Sequence, residues 1–129
     1  MQKLFIIISH YYQLAKTIKE YLIKMMDIDE NFIKIEAIGG INSGQEIGTE
    51  PMEILKIIEN NDHINEIFIF SDLGSATLAA SSIALMVNNK KIHVSKGAIV
   101  ENCFAAYVLA NSGAEFQDVV NASEEKLYK

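Results

Sequence analysis

The hydrophobic positions fall into two kinds of block that take turns along the chain. Short, nearly continuous apolar runs occupy "KLFIIIS" (3–9), "FIKIEAI" (32–38), "EIFIF" (66–70) and "KIHVS" (91–95). Runs of this length and continuity predict strands buried on both faces, as in parallel sheets. Between them the apolar spacing lengthens to three and four. Leu14, Ile18, Tyr21, Leu22 and Met25 predict an amphipathic helix with Lys16, Lys19, Glu20 and Lys24 outside. Pro51 suits the first turn of a second helix, where its missing N–H costs nothing. Ile54, Leu55 and Ile58 are its buried stripe, and Asn60-Asn61 its end. Ala76 to Val87 predicts a third helix, whose small residues let it lie close to a sheet or another subunit. Val100, Phe104, Tyr107 and Val108 mark a fourth, stopped at Asn111-Ser112-Gly113. Phe116, Val119 and Val120 sit on a short last one.

Strands alternating with helices call for an α/β fold, a parallel sheet covered by helices on both faces. The 129 residues suffice for one domain, 1–129, and no repeat, linker or low-complexity segment divides them. A net charge of −6 argues against nucleic acid as a partner. One cysteine, Cys103, excludes an internal disulfide and a paired-cysteine metal site, and it reads as a small buried residue. The longest uncharged span, Leu73 to Asn89, carries Ser75, Thr77, Ser81, Ser82, Asn88 and Asn89. That polarity predicts a buried helix, not a membrane span. The N-terminal apolar stretch lacks a small-residue cleavage site and reads as a strand, so a soluble, cytoplasmic protein is expected.

In open α/β sheets, ligands bind outside the carboxyl ends of the strands, where the strand order reverses. Those ends are Ser9-His10, the glycine-rich loop 39–48, Ser71-Asp72-Leu73-Gly74-Ser75 and Lys96-Gly97. In the common order 2-1-3-4 the first and third strands are neighbours, which brings His10 beside Asp72. A carboxylate on one ring nitrogen fixes the tautomer and leaves the other nitrogen as a nucleophile. His10 also opens a helix, whose free N–H groups attract an anion such as a phosphoryl group. Gly74 and Ser75 add a second helix start with a hydroxyl. The constellation fits phosphoryl transfer to histidine. His10 equally fits a helix-start residue, and Asp72 a cap of the third helix, so the residues alone leave both readings open. The loop 39–48 matches neither the dinucleotide fingerprint nor the lysine-bearing phosphate loop. His63 lies in a polar turn, His93 sits mid-strand in a structural place, and Lys90-Lys91 reads as a solvated turn.

With "SH" closing the first strand, "GGINSGQEIGT" after the second, "SDLGSA" after the third and "IVENCFAA" opening the fourth helix, the chain resembles a known family. It is similar to the phosphotransferase subunit of dihydroxyacetone kinase, a mannose-type EIIA domain of the phosphoenolpyruvate:sugar phosphotransferase system. The resemblance covers nearly the whole chain, in order. It implies a four-stranded parallel sheet, a homodimer and a phosphohistidine at His10 with Asp72 as its partner. Ser9, Gly39, Gly40, Gly48, Thr49, Gly74 and Ser75 would form the phosphate cradle and docking surface.

The resemblance further implies phosphoenolpyruvate as the phosphoryl source and HPr as the donor. The acceptor would be ADP held on a DhaL-type subunit, with dihydroxyacetone on DhaK downstream. No directly bound cofactor, metal or membrane is expected. Since the chain ends at Lys129, the donor would be a separate protein. Departures are Glu50 where the family has serine, Leu78-Ala79 where it has Met-Asn, and Asn102 where it has glycine. Two other readings share the histidine: a mannose-type EIIA serving sugar uptake, and a non-enzymatic regulatory module switched by its phosphorylation.

Overall fold

A computed structural model describes residues 1–127; the chain end at Lys129 lies outside them. Its strands are β1 (Lys3–Ser9), β2 (Ile33–Gly39), β3 (Glu66–Ser71) and β4 (Lys91–Val94). Its helices are α1 (Tyr12–Met25), α2 (Pro51–Asn60), α3 (Gly74–Met86), α4 (Glu101–Asn111) and α5 (Phe116–Glu124). All strand pairs are parallel and the sheet order is β2-β1-β3-β4, as the alternating blocks predict.

β1 is hydrogen-bonded on both sides and buried at all seven positions, which is why its sequence is apolar almost throughout. Its side chains alternate between two cores. Phe5 and Ile7 face Ala15, Ile18 and Leu22 of α1 and Cys103, Ala106 and Tyr107 of α4. Leu4, Ile6 and Ile8 face Ile54 and Ile58 of α2 and Ala76, Ala80 and Ile83 of α3. At the amino end Lys3 is buried but paired with Glu66 at 3.1 Å, the residue it meets across the β1–β3 register. Burial in the α1–α4 core pushes the Cys103 thiol far up. Tyr107, also buried, donates its hydroxyl to the Met26 carbonyl at 2.6 Å.

Three expectations are corrected. The inward face of α1 is Ala15, Ile18 and Leu22; Leu14, Tyr21 and Met25 are exposed. The small Ala15 lets the helix approach the sheet, which turns the bulkier side chains outward. The stretch 73–89 is not a buried helix. α3 packs Ala76, Ala80 and Ile83 inward, while Leu78 and Leu85 stand 71% and 84% exposed. Lys90 is not in a solvated turn either. Its side chain is nearly covered, and Nζ donates to the carbonyls of Asp62 (2.7 Å) and Ile64 (2.6 Å), pinning the approach to β3. Among the described residues no helix is long and apolar enough to cross a membrane.

Candidate functional site

β1 and β3 run side by side with Ile8 opposite Ser71, so Asp72 falls opposite Ser9 and one residue short of His10. His10 and Asp72 are the first residues after the two strands. The Asp72 N–H donates to the Ile8 carbonyl at 3.2 Å, which extends the ladder by one rung and fixes the aspartate's backbone. Its carboxylate turns back over the end of β1. Oδ2 accepts the Ser9 hydroxyl at 2.9 Å and the His10 N–H at 3.0 Å, and Oδ1 meets His10 Nδ1 at 3.0 Å.

Partial burial raises the Asp72 pKa, but the bonds from the His10 ring, the His10 N–H and the Ser9 hydroxyl outweigh it. The carboxyl is held below its ordinary value. Asp72 is therefore an acceptor at neutral pH, so Nδ1 carries the ring proton. In the neutral imidazole, Nε2 then keeps its lone pair and accepts the Ser75 hydroxyl at 2.8 Å. The His10 side chain is 20% exposed and that of Asp72 14%. The pair is sheltered without being sealed.

Ser75 stands on the first turn of α3, ahead of the first helical bond, from Ala76 N–H to the Leu73 carbonyl. The N–H groups of Gly74 and Ser75 thus precede the intrahelical ladder, at the positive end of the helix dipole. A Cβ on Gly74 would meet nothing within 4 Å, so the space in front of this turn is open.

The structure brings Ser9, His10, Asp72 and Ser75 together, yet it alters several expected contributions. Ser9 is fully buried. Its hydroxyl donates to Asp72 and accepts the Tyr11 N–H at 3.0 Å, so it positions the aspartate and presents nothing to a phosphate. Gly40 and Gly48 likewise offer no free N–H to a cradle. The Gly40 N–H donates to the Ser9 carbonyl (3.3 Å) and the Gly48 N–H to the His10 carbonyl (2.9 Å). Gly39 is a spacer: a Cβ there would run into the Ser9 carbonyl oxygen and come within 3.0 Å of the Tyr12 Cα. Gly40 has φ +71°, a turn that other residues adopt only under strain. Thr49, half-buried beside Gly48, makes no hydrogen bond to His10, Asp72 or Ser75. The loop thus buttresses the histidine's backbone from behind.

A cavity of about 320 Å³ lies behind that loop, between Tyr12, Ile38, Gly39, Gly44, Lys56 and Ile57. The remaining histidines stand apart. His63 is exposed, and His93 bonds Glu124 through Nε2 at 3.0 Å. No group of three histidine, cysteine or acidic side chains suited to a metal occurs among the described residues. The inward role of the Ser9 hydroxyl escaped the sequence reading; its only signal was a small polar residue closing an otherwise apolar strand.

Among curated proteins, the chain is 27% identical over 125 residues to the phosphoryl donor subunit DhaM of the PEP-dependent dihydroxyacetone kinase of Providencia stuartii. It is 29% identical over 119 residues to the subunit of that name from Escherichia coli. These alignments cover 95% and 89% of the chain but only 26% and 25% of the two relatives, so the chain spans about a quarter of their length. Against the DhaM of a second dihydroxyacetone kinase of Listeria innocua, identity is 26%, over 95% of this chain and 90% of that protein. A crystal structure of a protein of unknown function, EF1359, superposes with a TM-score of 0.86 at 27% identity, over the full length of both chains. The phosphotransferase system component EIIA from Streptococcus agalactiae shares the fold at TM-score 0.69 and 18% identity, over 95% of this chain and 89% of that one. The EIIA-man family model, PTS system fructose IIA component, matches residues 4–120. With nearly all of its sheet and helices inside that match, the chain belongs to the mannose-type EIIA family of the phosphotransferase system.

Proposed function

We propose that this protein is a phosphocarrier of a phosphoenolpyruvate-dependent dihydroxyacetone kinase system, with Nε2 of His10 as the phosphoryl acceptor. The observation that carries the reading is the split use of one imidazole. Nδ1 is held by an aspartate that is itself fixed by two further donors, while Nε2 faces a hydroxyl and an open helix N-terminus.

The donor is HPr, phosphorylated from phosphoenolpyruvate. In-line attack by Nε2 forms the Nε2–P bond as the N–P bond of the donor's phosphohistidine breaks, and the donor imidazole leaves with the electron pair. No proton moves at Nε2. Nδ1–H stays on Asp72, whose negative charge offsets the positive charge gained by the ring. Ser75, 2.8 Å from Nε2, turns its hydroxyl to a phosphoryl oxygen, and the N–H groups of Gly74 and Ser75 face the same group. Onward, a terminal phosphate oxygen of ADP on a DhaL-type subunit attacks phosphorus, the Nε2–P bond breaks and the pair returns to Nε2. The ATP so formed phosphorylates dihydroxyacetone on DhaK. The DhaM names of the curated relatives favour this acceptor over a sugar permease. The exposed apolar side of α3 around Leu85 and Met86 is the candidate face of a homodimer.

The test is incubation with phosphoenolpyruvate, enzyme I and HPr, followed by intact mass, peptide mapping and addition of DhaL–ADP. The expected result is an acid-labile phosphoryl group on His10 that is discharged to ADP. Phosphate on another residue, or none with active HPr present, overturns the assignment. Charging of His10 without discharge to DhaL–ADP would transfer the protein to sugar uptake or to regulation.

A further inference from the structure

We propose that a hydroxyl pair outside the site, Ser71 with Thr77, is the clamp that holds Ser75 at Nε2 of His10. The inference rests on the phosphocarrier reading and adds two positioning residues that act on the acceptor nitrogen through a third side chain.

One turn grips the imidazole at both nitrogens. Asp72 meets Nδ1 at 3.0 Å and Ser75 meets Nε2 at 2.8 Å, and only Leu73 and Gly74 separate the two along the chain. The two grips have different anchors. Asp72 belongs to the sheet, through the bond from its N–H to the Ile8 carbonyl. Ser75 belongs to α3, which packs inward through Ala76, Ala80 and Ile83. A shift of α3 against β3 therefore moves Ser75 and leaves Asp72 in place. Gly74, at the joint, does little to resist it: a Cβ there would touch nothing within 4 Å.

A side-chain bond spans this joint. Ser71 Oγ and Thr77 Oγ1 lie 2.6 Å apart. The Thr77 hydroxyl also donates to the Leu73 carbonyl, one turn back, at 3.4 Å, so within the pair Ser71 is the donor. The bonds run from the last residue of β3 to the first turn of α3 and back to the residue after Asp72. Among the described residues no other side-chain hydrogen bond joins β3 to α3. Ser71 is buried, and a buried hydroxyl that loses its partner costs more than an ordinary hydrogen bond contributes. The clamp is thereby kept shut.

Ser75 has to serve two states from one place. Before transfer its hydroxyl donates to the Nε2 lone pair; afterwards phosphorus stands on that nitrogen and the hydroxyl turns to a phosphoryl oxygen. A helix start that drifts serves neither state well. Ser71 and Thr77 make no hydrogen bond to His10, so their effect on transfer passes through Ser75.

The experiment follows the His10 ring and the transfer rate in Ser71→Ala, Thr77→Val and Thr77→Ser, and in the first two combined with Ser75→Ala. In unphosphorylated protein labelled with nitrogen-15 at histidine, the Nε2 resonance of Ser71→Ala and Thr77→Val should move toward its position in Ser75→Ala. Thr77→Ser keeps the hydroxyl and should keep the wild-type resonance. Charging by phospho-HPr should lose about fivefold in kcat in Ser71→Ala and Thr77→Val, the worth of one neutral hydrogen bond, with KM unchanged. Thr77→Ser should charge like wild type. On top of Ser75→Ala, neither substitution should slow transfer further. An Nε2 resonance that stays put in Ser71→Ala and Thr77→Val overturns the clamp. So does a loss of rate that repeats in full on top of Ser75→Ala, which would place the effect in the fold. Wild-type His10 left uncharged by active phospho-HPr overturns the carrier reading, while the resonance still decides the clamp.

Discussion

Among the described residues, two histidine–carboxylate pairs have the same length. His10 Nδ1 lies 3.0 Å from Asp72, and His93 Nε2 lies 3.0 Å from Glu124, with the two imidazoles 20% and 23% exposed. What separates them is which nitrogen the carboxylate takes and what the other one faces. Asp72 takes the inner nitrogen and leaves Nε2 toward Ser75 and an open helix start. Glu124 takes the outer nitrogen, and its two oxygens also accept the Lys96 N–H at 3.0 Å, so the pair staples the last turn of α5 to the end of β4. The His93 ring meanwhile rests against the edge of Phe68. In one pair the second nitrogen meets a hydroxyl on the first turn of a helix, and in the other the carboxylate ties a helix end to a strand end; distance alone distinguishes nothing.

The most direct way to break this contrast is to remove each imidazole. His10→Ala should leave no phosphoryl acceptor while the fold survives, and His93→Ala should keep transfer intact, both read by mass after incubation with phospho-HPr. Labelling of the His10→Ala protein would erase the distinction. Next in size, Asp72→Asn should slow transfer on the order of 10²-fold by losing the tautomer and the countercharge; an unchanged rate would leave Asp72 only a structural role.

The same variant sharpens the electrostatic side. Because the folded Asp72 pKa is depressed, its stabilisation is full above the unfolded value near 4 and fades as pH falls through the folded one. The stability gap between wild type and Asp72→Asn, measured by denaturant unfolding, should hold from pH 7 to about 4 and close below that. A gap that widens in acid would contradict the depressed pKa.

Third, Gly39→Ala should cost roughly 2 kcal/mol of stability and slow transfer, because its Cβ displaces the Ser9 carbonyl beneath His10. Smallest of all, Glu124→Gln should cost under about 1 kcal/mol, since both partners are partly solvated and the pair is screened, with transfer unaltered. A larger loss, by thermal or denaturant unfolding, would make the α5 staple more than a surface contact.

Much of this was readable from residues. β1 begins and ends where its apolar run does, and β2, β3 and β4 differ by a residue at their ends. A central parallel strand has to be apolar on both faces, and that leaves a plain mark. His10 and Asp72 could be paired because adjacency of β1 and β3 follows from strand order. What stayed hidden depends on partners far along the chain. Lys90 in "NNKK" reads as surface until Asp62 and Ile64 supply carbonyls for its Nζ. Asn102 reads only as a departure from glycine. Folded, it donates to the carbonyls of Ala122 and Glu125 and accepts the Ala98 N–H, locking the start of α4 to the end of α5. The turned face of α1 was hidden because alanine gives no hydropathic signal beside leucine.

The rung from the Asp72 N–H to the Ile8 carbonyl has a consequence for how the protein tolerates change over generations. The pairing of His10 with Asp72 is written in strand length as much as in residue identity. One residue inserted into β1 or β3 would shift the pairing and turn every following side chain to the opposite face. A substitution leaves that register in place, whereas a single inserted or deleted codon within either strand destroys it.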